Sequence, residues 1–246
     1  RSTLFPYTTL FRSPAGGVKR PASNIMKGKN NFYRVAADYL CPSFCLRCGG
    51  FGATLCAACQ QHLSFLPQSD LSSMLHSSWQ QHSQHWWVDS TQALFCYHSL
   101  IARLMKRWKY QGERDCARDF AFYLWQYLWL PTVDVVTFTP MHWRRQRERG
   151  YNQAEDLAHC LANYLQVPCV ALLQKFTPTP HQAALGRQER MCLMHQKLKV
   201  IGNCARQRVL LLDDVITTGA TINQAARSLK LAGARQVAAL AVAYRE

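Results

Sequence analysis

Thirteen residues constrain this chain more than any others: Val209-Leu210-Leu211-Leu212-Asp213-Asp214-Val215-Ile216-Thr217-Thr218-Gly219-Ala220-Thr221. Four consecutive apolar side chains predict a strand buried on both faces. Two adjacent carboxylates stand at its end, and a Thr-Thr-Gly-Ala-Thr turn then opens a helix. That order gathers hydroxyls, backbone N–H groups and a helix N-terminus around one point, which is what a phosphate needs. The two carboxylates lie a few residues away, where sugar hydroxyls or a divalent metal would sit. The bland alternative is a strand–turn–helix with an acidic turn, which has no need of all three features in this order.

The same alternation runs through the second half of the chain. Strands are predicted over residues 133–137, 169–173, 209–212 and 237–242, with helices over 154–165 and 221–231. Gly233 is placed to end the latter helix. Upstream, a strand is expected over 93–97. Leu100, Ile101, Leu104, Met105 and Trp108 recur at helical spacing, with Arg103, Lys106, Arg107 and Lys109 on the other side of that helix. A further helix runs from about Cys116 to Leu130 and stops before Pro131. Residues 60–90, rich in Gln, Ser and His, read as a helix or two plus a linker. The fold class is therefore α/β, a parallel sheet flanked by helices, with ligands bound beyond the carboxyl ends of the strands.

Bulk properties narrow the partners. The formal charge is +15, which suits a polyanion or simply a basic surface. Hydrophobic residues make up 48% of the 246, enough for a core, yet no run approaches the ~18 apolar residues of a membrane span. Thr3 to Ser13 reads TLFPYTTLFRS, one frame of a common sequencing-library adapter. Residues 1–25 are accordingly expected to be an adapter-derived or disordered tail, with Met26 as the natural start; the sequence of the source locus tests this. Without that tail the chain loses four cations and no acid, and stays basic.

Eleven cysteines in a chain of this size, with no secretory leader, fit a reducing cytoplasm better than a disulfide framework. Cys45-Leu46-Arg47-Cys48 and Cys56-Ala57-Ala58-Cys59 form CxxC-x7-CxxC, two knuckles that supply four thiolates to a tetrahedral Zn²⁺. Four sulfur ligands leave no open position, so the ion would be structural. Redox pairs and an Fe–S cluster are the competing readings. Cys41 is an alternative ligand but is expected to be spare, since it has no CxxC partner of its own, and Cys96, Cys116, Cys160, Cys169, Cys192 and Cys204 are expected as packed thiols.

A second cluster follows the strand over 133–137. Thr139-Pro140-Met141-His142 leads into Arg144-Arg145-Gln146-Arg147-Glu148-Arg149-Gly150-Tyr151-Asn152-Gln153, expected as an Arg-rich loop ending at a helix start and suited to a pyrophosphate.

The thirteen-residue run resembles the phosphoribosyl-pyrophosphate (PRPP) motif of type I phosphoribosyltransferases. By that resemblance Asp213 and Asp214 hold the ribose hydroxyls, and Thr217, Thr218, Gly219, Ala220 and Thr221 cradle the 5-phosphate, with Val215 among the PRPP contacts. From about Leu40 to Tyr244 the chain resembles the ComF/GntX family, phosphoribosyltransferase-like bacterial proteins linked to competence and to the use of DNA. The matching blocks are the two knuckles, Lys109-Tyr110-Gln111-Gly112, Pro140 with Arg144 and Arg149-Gly150-Tyr151-Asn152-Gln153, Gln182-Ala183-Ala184-Leu185-Gly186-Arg187-Gln188-Glu189-Arg190, and the PRPP motif. Ala183, Met191 and Cys192 depart from the family's usual residues in the fourth block; the GntX branch is the preferred placement.

The resemblance implies a type I phosphoribosyltransferase-like domain over residues 66–246, hood included, behind a cysteine-rich zinc module at 26–65. It implies PRPP with Mg²⁺, Pro140 and Arg144 or Arg149 on the leaving pyrophosphate, and a mobile loop carrying Gln182, Arg187 and Arg190. The acceptor, a nucleobase or an amine, is not identified. The rival reading is a non-catalytic PRPP sensor or single-stranded-DNA factor of the uptake machinery, using the Arg103, Lys106, Arg107, Lys109 face and, less favoured than packing roles, Trp86 and Trp87 for stacking. A zinc-ribbon adaptor for another uptake protein would leave the PRPP motif without a role.

Overall fold

The computed structural model describes residues 45, 47–50, 55–63, 65–66, 71–81, 84–175 and 198–246. These fall within one compact unit, Ser43–Glu246. The second unit, Arg1–Pro42, lies outside them, as do Cys192 and the expected mobile loop with Gln182, Arg187 and Arg190. In chain order the elements are α1 Ala57–Gln60, α2 Leu71–Gln81, β1 Ser90–Cys96, α3 Ser99–Tyr110, α4 Asp115–Tyr127, β2 Val135–Phe138, α5 Trp143–Arg149, α6 Gln153–Leu165, β3 Leu173–Lys175, β4 Leu198–Val200, β5 Arg208–Ile216, α7 Ala220–Leu231 and β6 Gln236–Tyr244.

The main sheet has strand order β1-β6-β5-β2, and every pairing in it is parallel. Its two faces divide the apolar residues by the period of two. Leu210 and Leu212 of β5 face Leu240 and Val242 of β6 and a layer built from α3, α4 and α6. Val209 and Leu211 point the other way, onto α7, Leu71 and Leu75 of α2, and Trp86. All four β5 residues are at most 1% exposed. Burial on both sides is why this strand reads as an unbroken apolar run. The expected parallel sheet flanked by helices is what the chain forms.

Three local expectations are corrected. First, β5 does not stop at Leu212. β6 is equally long and keeps pairing with it, Asp213 opposite Ala241, Val215 opposite Ala243 and Ile216 opposite Tyr244. The acid pair therefore sits inside the last turn of the strand's ladder. Second, residues 169–173 make a single bridge, Cys169 with Val136, and the chain then pairs antiparallel through β3 and β4. Val170 is 40% exposed, so this stretch is a sheet edge that peels away. Third, the Arg-rich loop contains a helix, α5. Arg, Gln and Glu are good helix formers, and Gly150, at φ +80°, ends it in the left-handed region a glycine tolerates.

Candidate functional site

The site is set by a reversal in the sheet. β2 and β5 are neighbours, yet α6, which follows β2, packs on one face and α7, which follows β5, on the other. The crevice beyond their carboxyl ends is a topological switch point. Thr139 N–H donates to the Leu212 carbonyl at 2.9 Å, and the pairing of β2 with β5 ends there. Asp213 and Asp214 thus stand past the end of β2, paired through β6 alone.

Each carboxylate has a partner. Asp213 Oδ1 accepts from Thr139 Oγ1 at 2.8 Å and from the Asp214 N–H at 2.9 Å. Asp214 Oδ2 lies 2.7 Å from Lys109 Nζ. Burial, reinforced by the neighbouring Asp214 charge, pushes the Asp213 carboxyl up to about 7; Thr139, the Asp214 N–H and Lys109 offset this only in part. Lys109, expected on the polar side of its helix, is instead an internal counter-ion.

The end of α3 is fastened around that lysine. The Tyr151 hydroxyl donates to the Trp108 carbonyl. The Arg149 guanidinium lies over the Tyr110 ring, 4.8 Å from its centroid, and donates to the Tyr110 hydroxyl at 3.1 Å and to Gln153 Oε1 at 3.3 Å. Asn152 caps α6 through the Ala154 N–H and donates to the Thr139 carbonyl at 3.1 Å. The Arg149-Gly150-Tyr151-Asn152-Gln153 block therefore joins α3, α6 and the end of β2. Pro140 is partly buried beside Thr139. The Arg144 side chain lies outside the described residues, and Arg149 is engaged with Tyr110.

The loop after β5 is pinned from behind. Gly219 is buried at φ +75°, and a Cβ there would come within 2.7 and 2.9 Å of the Trp86 ring, so no other residue fits without moving it. Trp79 Nε1 donates to the Thr218 carbonyl at 2.8 Å. Asn223 of α7 accepts from the Trp87 N–H at 2.6 Å and donates to the His85 carbonyl at 2.9 Å. Thr217, Thr218, Ala220 and Thr221 remain exposed at the start of α7, whose first N–H groups have no intrahelical acceptor. Trp86 is thereby committed to packing and offers no stacking face. A cavity of about 570 Å³ opens beside Thr217 and Thr218, with Met74, Trp79, Tyr244 and Arg245 in its walls.

Away from this crevice, the Sγ atoms of Cys45, Cys48, Cys56 and Cys59 all lie within 4.8 Å of one another. Cys48 and Cys56 are 3.7 Å apart, close to the edge of about 3.8 Å that 2.3 Å bonds give a tetrahedron. The Cys56 N–H points to Cys45 Sγ at 3.4 Å. These four could hold a metal ion, and their donor set and spacing fit zinc. Of the other thiols, Cys116 and Cys204 are buried, while Cys96, Cys160 and Cys169 are partly so.

The chain is 27% identical over 210 residues to competence protein F of Haemophilus influenzae, covering 74% of this chain and 87% of that protein. It is 30% identical over 149 residues to competence protein ComFC of Streptococcus pneumoniae, covering 60% and 65%. The chain is thus similar to the ComF competence proteins. No protein-family model matches it. Among solved structures, a glutamine PRPP amidotransferase from B. subtilis, complexed with ADP and GMP, superposes with TM-score 0.43 at 20% identity, over 55% of this chain and 30% of that one. A purine phosphoribosyltransferase from Pyrococcus horikoshii gives 0.34 at 18%, over 55% and 75%.

The displaced ionisation of Asp213 has a measurable sign. The folded protein keeps a proton there that the unfolded chain has already lost above pH ~4, so this group's contribution weakens folding as pH rises toward 7. Asp213→Asn should raise the melting temperature at pH 8 by roughly 2–4 °C, about 1 kcal/mol, and flatten the decline between pH 5 and pH 7 in thermal denaturation.

Proposed function

We propose that this ComF-like chain binds PRPP at the β2/β5 crevice and transfers its phosphoribosyl group to a nitrogen nucleophile. The observation that carries this is the juxtaposition of the Asp213–Asp214 pair with the Thr217–Thr221 turn at a switch point, with the turn's back wall pinned by Trp79 and Trp86. Asp213 and Asp214 take the ribose hydroxyls, Val215 sets the step between strand and loop, and Thr217, Thr218, Gly219, Ala220 and Thr221 hold the 5-phosphate. Pro140, Arg144 and Arg149 border the leaving group; for Arg149 this requires release from Tyr110. By the family resemblance Gln182, Arg187 and Arg190, which lie outside the described residues, would belong to a loop that shields the sugar from water.

In the reaction the C1–oxygen bond to pyrophosphate breaks, the electron pair leaves with pyrophosphate, and a C1–nitrogen bond forms as the nucleophile loses a proton. Positive charge develops on the ribose in between, so positioning and electrostatics do the protein's part. Mg²⁺ arriving with the substrate would supply charge neutralisation, while Thr139 and Lys109 hold Asp213 and Asp214 in position.

Cys45, Cys48, Cys56 and Cys59 would hold Zn²⁺ as a structural ion, in a module over residues 26–65 that precedes in sequence a transferase-like domain over 66–246. We place the protein in the cytoplasm, where such thiols stay reduced; no helix among the described residues is long and apolar enough to cross a membrane.

A second reading, binding of single-stranded DNA during uptake, is favoured by one surface. Trp143 is 52% exposed with Arg147 over its ring at 5.7 Å, and Tyr110 is 65% exposed under Arg149. These aromatics, with exposed Arg103 and Lys106, replace Trp86 and Trp87 as the stacking candidates.

Three measurements separate these readings. Calorimetry with PRPP and Mg²⁺ should show binding by the wild type and none by the Asp213→Ala/Asp214→Ala double variant; equal heats remove the site assignment. Chelation should release about one zinc per chain and destabilise the knuckles; no metal in freshly reduced protein overturns that assignment. Oligonucleotide binding through the α5 surface should weaken steeply between 50 and 200 mM salt, about tenfold or more, and Trp143→Ala should reduce it further; salt-insensitive binding would sink the second reading.

A further inference from the structure

Lys109 is firmly placed beside the acid pair, and the pair's role toward the ribose hydroxyls makes no use of its charge. Its ammonium sits 2.7 Å from Asp214 Oδ2, and the two side chains are only 20% and 17% exposed. It cannot easily withdraw. Three of its neighbours in α3 are tied down: Arg107 to Glu113 at 3.0 Å, the Trp108 carbonyl to the Tyr151 hydroxyl, and Tyr110 beneath Arg149. A half-buried ammonium needs a counter-ion. While the crevice is free of ligand, that counter-ion is Asp214. When a ribose diol bonds to the acid pair, it competes for the same carboxylate oxygens. The charges recorded around the pair are Asp213 and Asp214 from β5 and Lys109 from α3; Thr139 adds a neutral hydroxyl from the end of β2. Asp213 is engaged by the same diol and resists ionisation, and among the described residues of these elements no further acid is left for the displaced ammonium. The ligand itself has to bring the negative charge.

We propose that Lys109 is the specificity-determining residue of the crevice: held on Asp214 until a ribose diol displaces it, it then requires an anionic substituent on the ligand near C1. This rests on the PRPP reading above and extends it. A ribose 5-phosphate fills the Thr217–Thr221 turn and the acid pair but carries only a neutral hydroxyl at C1, so it displaces Lys109 without compensating it. A sugar with a diphosphate at C1 does both. Lys109 thus lets the protein tell the activated sugar from its hydrolysis product by charge, with no contact to the base.

The test is calorimetric titration of wild type, Lys109→Met, Lys109→Gln and Lys109→Arg with PRPP and, separately, with ribose 5-phosphate, both with Mg²⁺. Circular dichroism confirms that each variant is folded. Wild type should prefer PRPP. Met and Gln should cut the ratio of the two affinities at least tenfold, by weakening PRPP while ribose 5-phosphate binds as before or more tightly. Arg should recover most of the ratio. A ratio that falls less than threefold in both Met and Gln overturns the proposal. So does an equal loss in all three variants, which marks a merely structural contact. Wild type that binds neither sugar overturns the PRPP reading and this one with it; wild type that prefers PRPP with an unchanged ratio in the variants overturns only this one.

Discussion

Two like charges on consecutive residues at the edge of an apolar sheet are the constraint around which the rest of this structure is arranged. Asp213 and Asp214 cannot both stay ionised in a partly buried crevice without compensation. Thr139 supplies a hydroxyl from the end of β2, the Asp214 N–H folds back onto Asp213, and Lys109 arrives from α3. Asp213 nonetheless remains hard to ionise. The molecule therefore carries a locally unfavourable group that its buried strands offset elsewhere, which is the usual mark of a site shaped for a ligand rather than for stability.

That compensation explains why distant blocks of sequence have to come together. Lys109 reaches Asp214 only because α3 ends where it does. That end is set by Tyr151 on the Trp108 carbonyl and by Arg149 on Tyr110. The same short stretch delivers Asn152, which caps α6 and holds the Thr139 carbonyl. A change in this stretch would reach the acid pair through two routes at once, by moving the lysine and by moving the threonine. The loop after β5 is held just as tightly, by Trp79 on the Thr218 carbonyl and Trp86 against Gly219. The exposed face of that loop is free for a ligand because its other face is packed.

Much of this was legible in residue order. The run Val209–Leu212 announces a strand buried on both faces, and the donor-rich turn after the acids announces the exposed, hydroxyl-bearing start of α7. The paired CxxC knuckles lie close enough in sequence for their sulfurs to meet. Where reading failed, a competing preference won locally. The Arg-rich segment became a helix because its residues favour one. The stretch 169–173 peeled off as an edge, and β5 ran past its apolar part because β6 went on offering backbone partners.

What the order of residues determined alone was short-range: element types, the buried strand, the acid pair followed by its turn, and the four-sulfur cluster. These follow from periodicity and neighbour spacing, which one dimension carries. Only the tertiary structure decided that Lys109 leaves the solvent face for Asp214, that Trp86 is packing rather than surface, and that Arg149 stacks on Tyr110. Each of these joins residues 39 or more positions apart. A charge or a ring has no preferred partner until the fold brings one within a few ångströms, because electrostatic and packing energies depend on distance in space and not along the chain.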